Sequence, residues 1–221
     1  MEPAPPSPGH PPTAHAEHDA APLHERIDPA ILYFGTPVVL VSTLNPDCSP
    51  NLAPISSAFW IGRTAVLGIA EDSRTRENLE FEGEAVLALP SAEQAGAVDA
   101  LALTTGSPEI PERKHRRGYR HYADKFALAG LAPRPSIHVR APGVVQCPVL
   151  MECRLERSRA AVCELEVIAV RVHESIRDPD RADHIDPDRW RPLLMSFQRL
   201  YGLGGQVRGS RLASIPEDLY R

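Results

Sequence analysis

The feature that most constrains this chain is a pair of apolar runs joined by a few residues of turn chemistry. Residues 36–44, Thr-Pro-Val-Val-Leu-Val-Ser-Thr-Leu, are rich in β-branched side chains and read as a buried strand. Asn45-Pro46-Asp47-Cys48 cannot continue that strand, and residues 50–57 bring the chain back beside it. A hairpin this early commits the fold to antiparallel pairing. Further short runs at 65–70, 85–89, 136–140, 149–157 and 161–173 read as strands, the last two alternating about a break at Arg159. Loop and short helix are expected over 104–135, and helices at 74–81, over an alanine-rich stretch at 92–103 and at 188–203. In the last of these, Trp190, Leu193, Leu194, Phe197 and Leu200-Tyr201 recur at helical intervals. Six or seven strands with short helices inserted, and no strand–helix–strand regularity, predict a mainly β fold: a Greek-key antiparallel barrel with helical decoration.

The 221 residues suffice for one domain with a tail. Residues 1–27 are expected to form a disordered extension, because prolines 3, 5, 6, 8, 11, 12 and 22 forbid a helix and little is available to bury. Residues 28–205 are the expected domain and 206–221 a tail. The formal charge is -5, and residues 1–30 hold five acids against one base, so the domain is nearly neutral and nothing recruits nucleic acid. The four cysteines form no C-x-x-C pair, which argues against a zinc ribbon or dithiol site and for reduced thiols in a cytoplasmic protein. No stretch has the length of a membrane span. Hydrolase, metalloprotease and P-loop strings are absent, and the glycines at 202, 204, 205 and 209 follow the predicted helix and miss the dinucleotide-binding spacing.

Two segments carry the chemistry. Asn51, Ala53, Pro54, Ile55, Ser56 and Ser57 end the second hairpin strand with small side chains, and Pro54 removes a donor from the ladder, as at an edge or bend. Free backbone groups at such an edge can pair with a flat polar ring. Ser73, Arg74 and Thr75 open the helix at 74–81 with two hydroxyls and a cation, with Asn78 one turn on, which suits a phosphate. Each segment has a plainer reading, an edge strand ending in a turn and a capped surface helix. Jointly they describe a ligand with a ring at one end and a phosphate at the other, which fits flavin mononucleotide (FMN). The basic run 113–117 reads as a solvated loop or as a receiver of a dinucleotide phosphate, and Trp60 as barrel core or a shield for the ring.

The strings 33–43, 51–57 and 73–79, followed by Gly118-Tyr119-Arg120-His121-Tyr122, Asp124-Lys125-Phe126, Ala129-Gly130-Leu131 and Val145-Gln146-Cys147-Pro148, occur in an order that resembles the flavin reductase-like proteins of the FMN-binding split-barrel type, nearest their flavoredoxin branch. The resemblance covers about residues 31–175. It implies a homodimeric split barrel, with FMN along residues 51–57 and its phosphate at 73–75, and with hydride or electron transfer between NAD(P)H and flavin. It also allows a partner monooxygenase. No catalytic side chain is expected, because the cofactor carries the reaction. The Gly-Asp-His string of some reductases in this group is absent, and His184-Ile185-Asp186 is not its equivalent. That departure motivates one alternative, a non-reductase FMN enzyme or electron carrier in specialised metabolism; a barrel that has lost flavin and serves as a binding module is a third reading.

Overall fold

The computed structural model of the chain describes residues 24–215 and residue 219. Most of the expected extension, and the last residues of the expected tail, lie outside the described residues. The chain divides after Ala30 into two compact units, and residues 24–30 of the first form neither helix nor strand. Among the described residues, every strand and helix belongs to the second unit, which begins at Ile31.

Its strands begin with β1 (Phe34–Pro37), β2 (Val39–Leu44), β3 (Pro50–Ile55), β4 (Ala58–Ile61) and β5 (Thr64–Gly68). Helix α1 (Arg74–Glu82) leads into β6 (Glu84–Leu89), then α2 (Ala95–Ala100) and the short β7 (Thr104–Thr105). After α3 (Glu112–His115), β8 (Arg120–His121) and α4 (Lys125–Leu128) come the two-residue strands β9 (Pro133–Arg134) and β10 (Gly143–Val144). Two long strands, β11 (Val149–Arg159) and β12 (Val162–Val172), precede a final hairpin of β13 (Leu193–Ser196) and β14 (Arg199–Gly202). The main sheet is antiparallel throughout, in the order β3-β2-β6-β11-β12-β5-β4, and curls into a half-barrel. The predicted first hairpin is its β2–β3 edge, paired from Val39↔Ile55 to Leu44↔Pro50. Cys48 closes that turn with φ +66°, a left-handed conformation that glycine adopts more easily.

Both faces of β2 are buried, which explains its unbroken apolar run. Val39 and Val41 join Leu67, Leu87 and Leu165 inside the curl, together with Leu79 from α1. Val38 and Leu40 face the opposite way, onto Val98 and Leu101 near α2, Phe126 of α4 and Leu193 of β13. Each fully buried side chain of this size contributes about 1.5–3 kcal/mol. Helices α2 and α4 and the last hairpin thus cover the outer face of the curl.

Three sequence expectations are corrected. Residues 188–203 form no α-helix: after a 3-10 turn at Pro187–Arg189 the chain folds as the β13–β14 hairpin, and β13 also pairs with β1. Residues 136–140 are not a strand, because Ile137 and His138 donate their backbone N–H groups to Glu152 instead of to a neighbouring strand. The alanine-rich helix ends at Ala100, and Leu103 turns to φ +54°. Among the described residues no helix is long and apolar enough to cross a membrane.

Candidate functional site

The edge strand β3, the amino end of α1 and the segment from Leu101 to Gly106 enclose a cleft of about 450 Å³. Its two ends are the two segments singled out in the sequence. Ala53, Pro54, Ile55 and Ser56 line one part, and Ser73, Arg74 and Thr75 line another. The sheet order explains the first wall, since β3 has a partner only on its β2 side. Helix α1 provides the second, because its first turn has backbone N–H groups without intrahelical acceptors.

Ser73 is the cap of α1: its Oγ accepts from the N–H of Arg76 at 3.2 Å. Arg74 forms an ion pair with Glu77 at 2.9 Å and donates from Nη2 to Ser107 Oγ at 3.3 Å. Its Nε is buried and has no acceptor. A buried guanidinium N–H left without a partner in a cleft suits an anion. Thr75 is 4% exposed, and its Oγ1 accepts from Asn51 Nδ2 at 3.2 Å. Gly106 closes against Asn51 and Arg74: a Cβ there would lie 2.6 Å from Asn51 Oδ1 and 3.3 Å from Arg74 Cγ. Only glycine lets the backbone approach so closely.

Three of the residues singled out in the sequence do not line the cleft. Asn51 is buried behind Thr75, bridging it to Thr43 Oγ1 at 3.2 Å. Asn78 is buried too, and donates to Thr43 Oγ1 and Asn45 Oδ1, each at 3.0 Å. Both brace the β2–β3 turn against α1, and each keeps an Oδ1 with no partner. Ser57 meets Tyr33 at 3.0 Å between hydroxyl oxygens, and it is Tyr33 that reaches the cleft. Trp60 packs on the interior cluster, and His121 is exposed on β8.

Two cleft residues were obscured in the sequence by their surroundings. The run 113–117 is not uniformly solvated. Lys114 is only 7% exposed, lines the cleft and donates to the backbone oxygen of Asp72 at 2.5 Å. Arg113 pairs with the Asp72 carboxylate at 2.8 Å, while Arg116 and Arg117 face solvent. Burial alone would raise the Asp72 carboxyl; the Arg113 hydrogen bond and the charges of Lys114 and Arg113 outweigh it and hold the group below its usual range. Lys125 is 3% exposed and donates to the backbone oxygen of Leu52 in β3 at 2.9 Å. Burial, with repulsion from Lys114, pushes its ammonium down to about 8. The signal for Lys114 was its place on the inward side of a short helix, visible only once that helix docks. The thiols play no such part: burial pushes Cys147 and Cys153 up to about 12, which leaves them inert.

Comparison with known proteins agrees with this architecture. Residues 31–204 match the family model described as flavin reductase like domain. The uncharacterized protein YdfE of Bacillus subtilis (strain 168) is 30% identical over 190 residues, covering 83% of this chain and 91% of that protein. Among solved structures, flavoredoxin of Desulfovibrio vulgaris (Miyazaki F) superposes with a TM-score of 0.74 at 22% identity, over 87% of this chain and all of that one. Nitrilotriacetate monooxygenase component B from Bacillus cereus superposes with a TM-score of 0.62 at 20% identity, over 81% and 88% of the two chains. These likenesses extend across the half-barrel and its coverings. With its curled antiparallel sheet and a matching model over most of its length, the chain belongs to the flavin reductase-like family and has the split-barrel fold.

Proposed function

We propose that this protein binds FMN in the cleft and acts as an oxidoreductase of the flavin reductase/flavoredoxin type, passing hydride or electrons between NAD(P)H and flavin. The observation that carries the reading is the single cleft joining the β3 edge at Ala53–Ser56 to Ser73, Arg74 and Thr75. In it, Arg74 Nε, the α1 amino terminus and Lys114 suit a phosphate, and the backbone of β3 suits a planar ring. Ser56 and Tyr33 add hydroxyls beside that edge. Asn51 and Asn78 act indirectly, by holding Thr75 and the β2–β3 turn in place. When bound, the flavin supplies the redox chemistry. The chain's residues bind it, orient it and shield it from water.

The reading carries with it a homodimer in the cytoplasm. The name of the Bacillus cereus relative, a monooxygenase component, also supports a partner oxygenase as an acceptor. One observation favours a second reading, that of an electron carrier or a non-reductase FMN enzyme: among the described residues, no histidine lines the cleft.

Two experiments test these statements. The absorbance spectrum of the purified protein with FMN, before and after anaerobic NADH or NADPH, should show a bound flavin that one nucleotide bleaches rapidly. Slow reduction by both nucleotides would favour the carrier. The double substitution Arg74→Ala with Thr75→Ala should weaken FMN binding by about 1–3 kcal/mol in a fluorescence titration. Unchanged affinity would remove the phosphate from this end of the cleft.

A further inference from the structure

The segment after β7 is held to the molecule differently from the rest of the covering. Residues 106–119 leave at Thr105 and return at Arg120, where the parallel β7–β8 pair closes their base. There the N–H groups of Arg120 and Tyr122 donate to the backbone oxygens of Leu103 and Thr105, each at 3.0 Å. The excursion has contacts of its own inside. Tyr119 N–H donates to Lys114 O at 3.1 Å, and the Lys114 ammonium lies 5.9 Å from the centre of the Tyr119 ring. Joined ends and internal packing are the marks of an Ω-loop. Gly106 and Gly118 stand at its two necks, Gly118 at φ +83°.

What holds this loop down is polar. It gives no residue to either apolar cluster, and of residues 106–119 Lys114 alone is buried. Among the described residues, its side chains bond beyond the loop only to Asp72 and Arg74, on either side of the Ser73 cap. Arg113 donates to the Asp72 carboxylate at 2.8 Å, and Ser107 Oγ accepts from Arg74 at 3.3 Å. Lys114 donates to Asp72 O, with its ammonium 3.6 Å from the carboxylate. Gly106, Lys114 and Tyr119 line the cleft, whereas Asp72 and Arg113 do not. A segment with few buried apolar contacts opens at a small fraction of the global free energy. Ion pairs open to solvent add only modestly to that. Release from Asp72 would therefore lift the loop and withdraw Lys114 from the cleft in one movement.

We propose that residues 106–119 are a lid over the Ser73–Thr75 end of the cleft, bolted by Asp72, and that its opening gates entry and release of the phosphorylated occupant. The identity of that occupant rests on the FMN reading. The consequence is a flavin retained between turnovers, which leaves slowly while the bolt holds and faster as salt screens it.

The chain has two lysines, Lys114 in the lid and Lys125 in α4, and both are buried. Acylation of the flavin-free protein with an amine-specific reagent, read by peptide mass, therefore compares opening of the lid with opening of the whole domain. Because the Lys125 ammonium is lowered to about 8, its amine is a ready nucleophile whenever reagent reaches it, so a faster Lys114 reports access. Lys114 should label at least about tenfold faster than Lys125, and Asp72→Asn should raise the Lys114 rate alone. Equal rates for the two lysines, or a Lys114 rate unmoved by Asp72→Asn, would overturn the lid. In the loaded protein, FMN release on dilution, followed by recovery of flavin fluorescence, should quicken about threefold to tenfold in Asp72→Asn and depend less on salt. Arg113→Ala should act in the same direction, and it carries the test if Asp72→Asn unfolds early in a thermal melt. Release unchanged in both variants would overturn the gate while leaving flavin binding intact. Failure of the natural protein to bind FMN would instead overturn the FMN reading and the gate's cargo, and the labelling comparison would still decide the lid.

Discussion

Glu152 and Lys125 are both buried ions, and they bear on the fold in opposite ways. Glu152 is fully buried on β11, accepts the N–H groups of Ile137 and His138, and pairs with Arg171 at 3.2 Å. Burial raises its carboxyl, but those hydrogen bonds and the Arg171 charge prevail and hold it below the usual value of 4.5. Its contribution is therefore complete above about pH 4.5 and is lost as pH falls through the lower folded value. Glu152→Ala should cost about 3–5 kcal/mol in urea unfolding at neutral pH, because Arg171 and two backbone donors lose their partner. That difference should shrink in acid. Lys125 works the other way. Its ammonium is lowered to about 8, so the folded protein bears a cost below that pH that fades as pH rises toward the unfolded value of 10.5. The cost is about 3 kcal/mol.

At the scale of elements, the last hairpin is where strand and helix patterns competed. Leu193, Leu194, Phe197 and Leu200 satisfy a helical spacing, but Leu193, Met195 and Leu200 also serve one face of a two-stranded ribbon. The hairpin turn is Phe197-Gln198, with φ +44° and +61°, a geometry that asparagine and glycine prefer. Nothing local announces it. The turn is imposed by pairing of β13 with β1, by the Phe197 N–H bond to Tyr33 O at 3.0 Å, and by edge contact of the Phe197 and Phe34 rings. Gln198→Gly should therefore stabilise the protein by about 0.5–1 kcal/mol, read as a higher urea midpoint with an unchanged slope. A lower midpoint would show that the Gln198 side chain contributes more at the cleft than its backbone costs. The β2–β3 hairpin is the opposite case. Its turn residues and the β-branched run before them agree with the final pairing, so it was legible from the outset.

For the whole molecule, the sheet ends at β3 on one side and β4 on the other. On the β4 side Phe59 and Ile61 are exposed, and Phe34 of β1 is 72% exposed. Apolar residues on an open edge favour association. The proposed homodimer should sediment at twice the chain's mass. Phe34→Ser with Ile61→Ser should shift it to monomer if this face is the contact, while a dimer unaffected by the pair would place the contact elsewhere. The antiparallel character, the first hairpin, helix α1 and the two segments that end the cleft were legible in the chain alone. Each of these rests on neighbours in the chain, where periodicity, turn chemistry and capping act. That Asn51 and Asn78 brace rather than line the cleft, that Lys114 and Lys125 turn inward, and that the final segment is a hairpin emerged with the complete fold. Burial and long-range pairing settle such matters, and both arise between residues far apart in sequence, beyond the reach of any local pattern.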